Sequence, residues 1–181
     1  MPTKQQNRKF SLLLLSLILG MSLLCGCNNG VKLMEPLTNE NVNISAANSA
    51  RGYLQAVFSQ DESLFKSCFP PDKYETYVGY DYFVELSSIA EESGYSFIGT
   101  RSGAVRPLDD SKGEFFDDFA LRIAANQGVP VEDISDIQVV NTKVYFKLEN
   151  KNYSNDCYVV VYKYLDYWYT FELETPRDSE E

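Results

Sequence analysis

Hydrophobic positions change their spacing along the chain, and each change marks an element. Ala50, Tyr53, Leu54, Val57 and Phe58 recur at i, i+3, i+4, i+7 and i+8, which predicts a helix over 46–59 with Ser45 as its N-cap. After the polar break Ser59-Gln60-Asp61, a short second helix turns Leu64, Phe65 and Cys68 inward; Asp61 caps it, and Pro70 and Pro71 end it. A third helix, starting at 74 or 80 and running to 92, aligns Val78, Tyr82, Leu86, Ile89 and Ala90 and closes at Gly94. Tyr95 to Ile98 reads as a short strand, and Gly99 to Lys112, with Pro107 and the pair Asp109-Asp110, reads as a loop. Phe115 or Phe116, with Phe119, Ala120, Ile123 and Ala124, predicts a helix from 114 to 126. Acids fill its first turn, and Gly128 and Pro130 follow its end.

From Ile134 onward the period drops to two. Strands are expected over 136–149, 156–164 and 167–174, joined by the turn-like Asn150-Lys151-Asn152 and by Leu165-Asp166. Helices first and strands last describe an α+β fold, with the N-terminal helices packed on one face of a curved antiparallel sheet formed mainly by the C-terminal meander. The domain so predicted covers 45–175 and leaves an acidic tail over 176–181.

Ahead of the domain the pattern is of another kind. Lys4, Arg8 and Lys9 precede an apolar and small-residue run from Phe10 to Leu24, the layout of a secretory signal. Those 15 residues would rise about 22 Å as a helix, short of the ~30 Å hydrocarbon core that a permanent span crosses. Leu24-Cys25-Gly26-Cys27 resembles the bacterial lipobox, with Cys25 standing where that family usually has Ala, Ser or Thr. The resemblance implies that residues 1–26 are removed, that Cys27 carries a diacylglycerol, and that the protein sits on the outer face of the cytoplasmic membrane, because two acyl chains hold a protein there stably. Residues 27–44, Asn-rich and aperiodic with Pro36 among them, read as a flexible tether with an r.m.s. reach on the order of 20–25 Å.

Charge narrows the partners. Loss of residues 1–26 removes Lys4, Arg8 and Lys9 and no acid, taking the net charge from −10 to −13. No basic cluster is visible along the remaining sequence, so nucleic acid is excluded as a partner, and the lipid tether must hold the protein at its membrane. The chain has no histidine, which removes Ser-His-Asp and Cys-His catalysis and most zinc sites. No Gly-rich phosphate loop or paired-Cys motif is present; no cofactor, metal site or catalytic residue is assigned. Asp109, Asp110, Glu114, Asp117 and Asp118 lack the spacing of a calcium loop and read as helix-start charge. Cys68 and Cys157 remain as thiols in an exported chain, either bridged across a loop of about 90 residues or free in apolar surroundings.

The sequence carries 13 Tyr and 11 Phe, and the final strand is Tyr167-Trp168-Tyr169-Thr170-Phe171-Glu172-Leu173. Helices followed by a meander ending on such a strand resemble the cone-shaped nuclear-transport-factor-like superfamily and the many Gram-positive lipoproteins of unknown function that look similar. The long segment around Gly99 to Lys112 departs from that pattern. The many aromatic residues fit either a Tyr-rich sheet or a lined cleft; in the second case the protein is a non-catalytic binding module at the membrane exterior, with Trp168, Tyr158, Tyr162, Tyr167 and Tyr169 as candidate lining, between helices and sheet, for a small ligand, glycan or peptide. Two other functions fit the same sequence. A protein-interaction or assembly accessory for an envelope protein requires an exposed apolar patch, and a carboxylate-dependent enzyme requires a buried Asp or Glu.

Overall fold

The computed structural model describes residues 33–75, 80–92, 94–108 and 114–174. The predicted signal, Cys27, Asp109, Asp110 and the acidic tail lie outside them. Among the described residues, no helix is long and apolar enough to cross a membrane.

Helix boundaries follow their caps. α1 (Ala46–Ser59) begins where extended Ser45 accepts the Asn48 N–H on its side chain, and stops where Gln60 takes a left-handed φ of 59°. α2 (Glu62–Ser67) starts from Asp61, whose carboxylate accepts the Leu64 N–H at 3.0 Å. α3 spans Tyr80–Glu92, with Phe83 buried and Val84 exposed. Val78 and the side chains of Tyr82, Leu86, Ile89 and Ala90, the predicted inner stripe, lie outside the described residues. α4 (Glu114–Gln127) buries Ala120 and Ile123, with Phe116, Phe119 and Ala124 packed beside them, as the spacing predicts.

Four antiparallel strands follow one another in sheet order β1-β2-β3-β4: β1 (Ser96–Pro107), β2 (Ile134–Leu148), β3 (Lys151–Tyr164) and β4 (Tyr167–Glu174). The β2–β3 turn is Glu149-Asn150, with φ of 47° and 67° at the two residues, the left-handed pair that matches the twist of a two-residue hairpin. That places the turn one residue earlier than expected and starts β3 at Lys151 rather than at 156.

Two expectations are corrected here. Gly99 to Pro107 is strand, not loop: β1 pairs with β2 from Ser96 to Pro107 through bulges after Phe97 and after Ser102. Each bulge inserts a residue and breaks the two-residue alternation on which strand recognition relies. The helices also do not all share one face. α1, α2 and α3 cover Val140, Val144, Phe146, Cys157, Val159 and Val161, whereas α4 packs on the opposite side against Ile137, Val139, Val160, Tyr162 and Tyr169. The runs Val139-Val140 and Val159-Val160-Val161-Tyr162 are apolar at consecutive positions because both of their faces are buried at that end of the sheet.

Part of the segment expected to be a tether is packed on the domain. Residues 33–44 lie along α1, held by amides rather than by an apolar stripe. The Gln55 side chain accepts the Leu37 N–H at 2.9 Å and donates to the Leu37 carbonyl at 3.0 Å. Asn48 donates to the Asn41 carbonyl, Asn43 to the Ser67 carbonyl, and the buried Arg51 to the Glu35 carbonyl at 2.7 Å. Burial lowers the Arg51 pKa. The arm inserts Val42, fully buried, against Gly52 of α1, and lays Leu33 over Gly99 of β1.

A Cβ at position 52 would fall inside the van der Waals envelope of Val42 Cγ2. Gly52→Ala is therefore expected to lower stability by up to about 2 kcal/mol, since overpacking of about 1–3 kcal/mol outweighs a helix-propensity gain of about 1 kcal/mol. Chemical denaturation reads the loss, and limited proteolysis should show earlier cutting within residues 33–44.

The arm also reaches one edge of the sheet. The Trp168 N–H donates to the Asn43 carbonyl at 3.0 Å and, further along the same edge, the Thr170 N–H donates to the Cys68 carbonyl at 2.9 Å, so two donors on the outer edge of β4 are used within the domain. Thr170 is buried beside Ser49 of α1, with their hydroxyl oxygens 3.2 Å apart.

Candidate functional site

The five aromatic residues expected to line one cleft are divided between the two faces of the sheet. Tyr162 is fully buried and Tyr169 nearly so, both in the cluster under α4, with their ring centroids 6.1 Å apart. Tyr158 is half-buried at the margin of that cluster, whereas Trp168 packs on the other face with α1, α2 and α3. Tyr167 is exposed at the start of β4. Burial pushes the Tyr162 and Tyr169 hydroxyls above the ordinary range of tyrosine. These rings serve mainly as core, and only Tyr167 presents itself freely to solvent.

Cys68 and Cys157 are free buried thiols, not a bridge. Cys68 follows the last residue of α2 and bonds the Leu64 carbonyl through its sulfur at 3.3 Å, while Cys157 lies within β3 opposite Thr142. Burial pushes the Cys157 thiol up to about 12 and raises Cys68 as well, so neither is a ready nucleophile. Among the described residues, no Asp or Glu is buried, and no cluster of three or more acidic or sulfur side chains is placed to hold a metal. Asp117 and Asp118 are exposed.

Exposed apolar side chains occur at the β3–β4 turn and on two segments hydrogen-bonded to it. Leu165, with φ of 54°, holds a left-handed conformation that ordinarily favours Gly or Asn and costs a branched side chain about 1–2 kcal/mol. Its N–H donates to the Asp133 carbonyl at 3.4 Å, which draws in the 3-10 turn Val131–Asp133. The bond from Trp168 N–H to Asn43 brings Ile44 to the same end from the other side. Ile44, Leu165, Tyr167 and Val131 are 65%, 60%, 54% and 38% exposed, and Glu132, Asp133 and Asp166 border them.

Aromatic rings pack in series beside this turn. The Tyr164 and Tyr169 centroids are 6.3 Å apart, Tyr169 contacts Tyr162 in turn, and Tyr164 stands opposite Tyr167 in the hairpin. Sequence reasoning treated Leu165 only as a turn residue and left Ile44 and Val131 unassigned. The available signal was a leucine at a position where turn geometry calls for Gly, Asn or Asp.

No protein-family model, no curated protein and no solved structure matches this chain.

Proposed function

We propose that the protein is a lipoprotein held on the outer face of the cytoplasmic membrane by a diacylglycerol on Cys27, and that it acts there as an interaction or assembly accessory for an envelope protein. The anchor rests on the lipobox-like Leu24-Cys25-Gly26-Cys27 after its apolar run. The interaction role rests on one observation: Leu165 and Tyr167 are exposed at the β3–β4 turn, and the two segments hydrogen-bonded to that hairpin carry the exposed Ile44 and Val131. Exposed apolar clusters with a polar border are the usual form of a protein contact site. The acidic border supports a partner with an apolar anchor flanked by Lys or Arg. The order of elements, helices and then a meander carrying Trp168, supports the resemblance to the nuclear-transport-factor-like superfamily.

A small-ligand cleft is the weaker reading, because Tyr162 and Tyr169 are buried and Trp168 faces away from them. An enzyme with a pocket carboxylate has no buried Asp or Glu to use among the described residues.

Photo-crosslinking in cells tests the proposal. A photoreactive residue at 165 or 167 is expected to give a discrete adduct that the same residue at Asn150, on the opposite end of the sheet, does not. Tyr167→Ala, with the probe at 165, should weaken the adduct by about tenfold or more, as loss of an interface aromatic does. The absence of an adduct at both 165 and 167 would refute the reading.

A further inference from the structure

We infer that the protein lies against its membrane through the half of the sheet face that α4 leaves uncovered, with Arg101, Lys143 and Lys147 set against anionic phospholipid headgroups beside Leu33. The inference rests on the acylation of Cys27 proposed above.

Three observations converge on this surface. The first is the position of Leu33, close in sequence to Cys27. Leu33 lies on Gly99, and Gly99 stands opposite Tyr145 in the β1–β2 ladder. Only six residue steps separate Leu33 from Cys27, and a chain of that length spans at most roughly 20–22 Å at ~3.3–3.6 Å per residue. Because residues 33–44 are packed on α1, none of them adds to that reach.

The second observation is charge. Lys143 stands directly opposite Arg101 and therefore shares its face; Lys147, four residues further along β2, is on that face too. Arg101 and Lys147 are exposed, and Lys143 is partly exposed and bonded to Asp156 at 3.0 Å. The cluster escapes a linear reading because β1 and β2 are 42 residues apart at the Arg101–Lys143 pair. In a chain whose mature net charge is −13, the surrounding surface is repelled by the same headgroups that attract these three cations, so the field orients the domain as well as drawing it in. Screening limits the effect to about 8–10 Å, a range that the short link to Cys27 keeps within reach.

The third is apolar exposure at the same place. Met34 and Ile98, next in sequence to Leu33 and Gly99, are 43% and 41% exposed. Apolar side chains among Arg and Lys match the headgroup region, where apolar groups dip below the charged layer. The apolar surface at Leu165 lies at the far end of the long strands, roughly 40 Å away at ~3.3 Å per residue, and would point outward from the bilayer.

The test uses the full chain purified from bacterial membranes and reconstituted into vesicles of phosphatidylcholine with phosphatidylglycerol, or of phosphatidylcholine alone. Ile98→Cys and Leu165→Cys each receive an environment-sensitive fluorophore; Cys68 and Cys157 are buried and stay unlabelled. Brominated lipid is expected to quench the probe at 98 at least about threefold more than the probe at 165 in the anionic vesicles, with the contrast shrinking in phosphatidylcholine alone. It should also shrink when Arg101→Gln, Lys143→Gln and Lys147→Gln are combined. Equal quenching at 98 and 165, with Cys27 shown by mass spectrometry to be acylated, overturns the orientation and leaves the anchor standing. A contrast that ignores both lipid charge and the triple substitution overturns the role of the cations. Protection of position 98 in walled cells but not in vesicles overturns it in favour of an anionic wall polymer, and an unmodified Cys27 overturns anchor and orientation together.

Discussion

Phe65→Ala is expected to remove about 3–5 kcal/mol of folding stability, the range for deleting a fully enclosed phenylalanine. Phe65 has no solvent exposure, and its ring centroid lies 5.4 Å from Tyr53, 5.1 Å from Phe69, 6.0 Å from Tyr74 and 4.9 Å from Phe83. It joins α1, α2, α3 and the chain following α2 through one side chain, so neighbours drawn from three other segments cannot collapse together to refill the space. Against a typical total of about 5–15 kcal/mol, the loss is a large fraction. The denaturant midpoint should fall steeply with an unchanged slope. Phe58→Ala, at a partly buried ring on the margin of the same cluster, should cost clearly less. A Phe65→Ala midpoint no lower than that of Phe58→Ala would mean that the α2 corner does not hold the helices to the sheet.

Alkali should unfold the domain over a defined window. Burial raises the Cys157 thiol from its ordinary 9.0 to about 12, and it raises Cys68, Tyr162, Tyr169 and Tyr95 above their ordinary values too. The unfolded chain gives up these protons first and then binds fewer than the folded chain. Stability is consequently whole below pH 9 and declines as pH climbs towards 12, the folded value of Cys157. Each buried thiol removes about 1.4 kcal/mol for every pH unit between its unfolded and folded values. Denaturation midpoints measured from pH 8 upward, in the wild type and in Cys68→Ala with Cys157→Ala, check the assignment. The double variant starts less stable but should lose stability more slowly with pH. Equal slopes in the two proteins would show that the thiols do not drive the decline.

Much of the fold is legible in the sequence, and the illegible parts have a common cause. α1 and α2 announce themselves because Ser45 and Asp61 cap helices whose apolar residues recur at helical spacing. The end of β1 does not, because bulges after Phe97 and Ser102 shift the alternation twice within a dozen residues. The arm over 33–44 is hidden for a different reason. Its attachment uses Gln55, Asn48, Asn43 and Arg51 on backbone carbonyls, and amide bonding leaves no periodic trace. The position of α4 was partly readable, since four consecutive apolar residues at Val159-Val160-Val161-Tyr162 imply cover on both faces. The aromatic site was read from residue type alone. Alternation along β4 then places Trp168 and Tyr169 on opposite sides, and burial decides which rings are structural.

The bonds from Trp168 to Asn43 and from Thr170 to Cys68 bear on how copies of this protein can associate. A sheet with two free rims can accept a neighbour on each and grow into a fibre. Here the start of one rim is occupied by the chain itself, Trp168 by the arm and Thr170 by Cys68, while the opposite margin, β1, is interrupted twice and carries Arg101, Arg106 and Pro107. Both features work against association by strand addition, the route by which sheets join edge to edge.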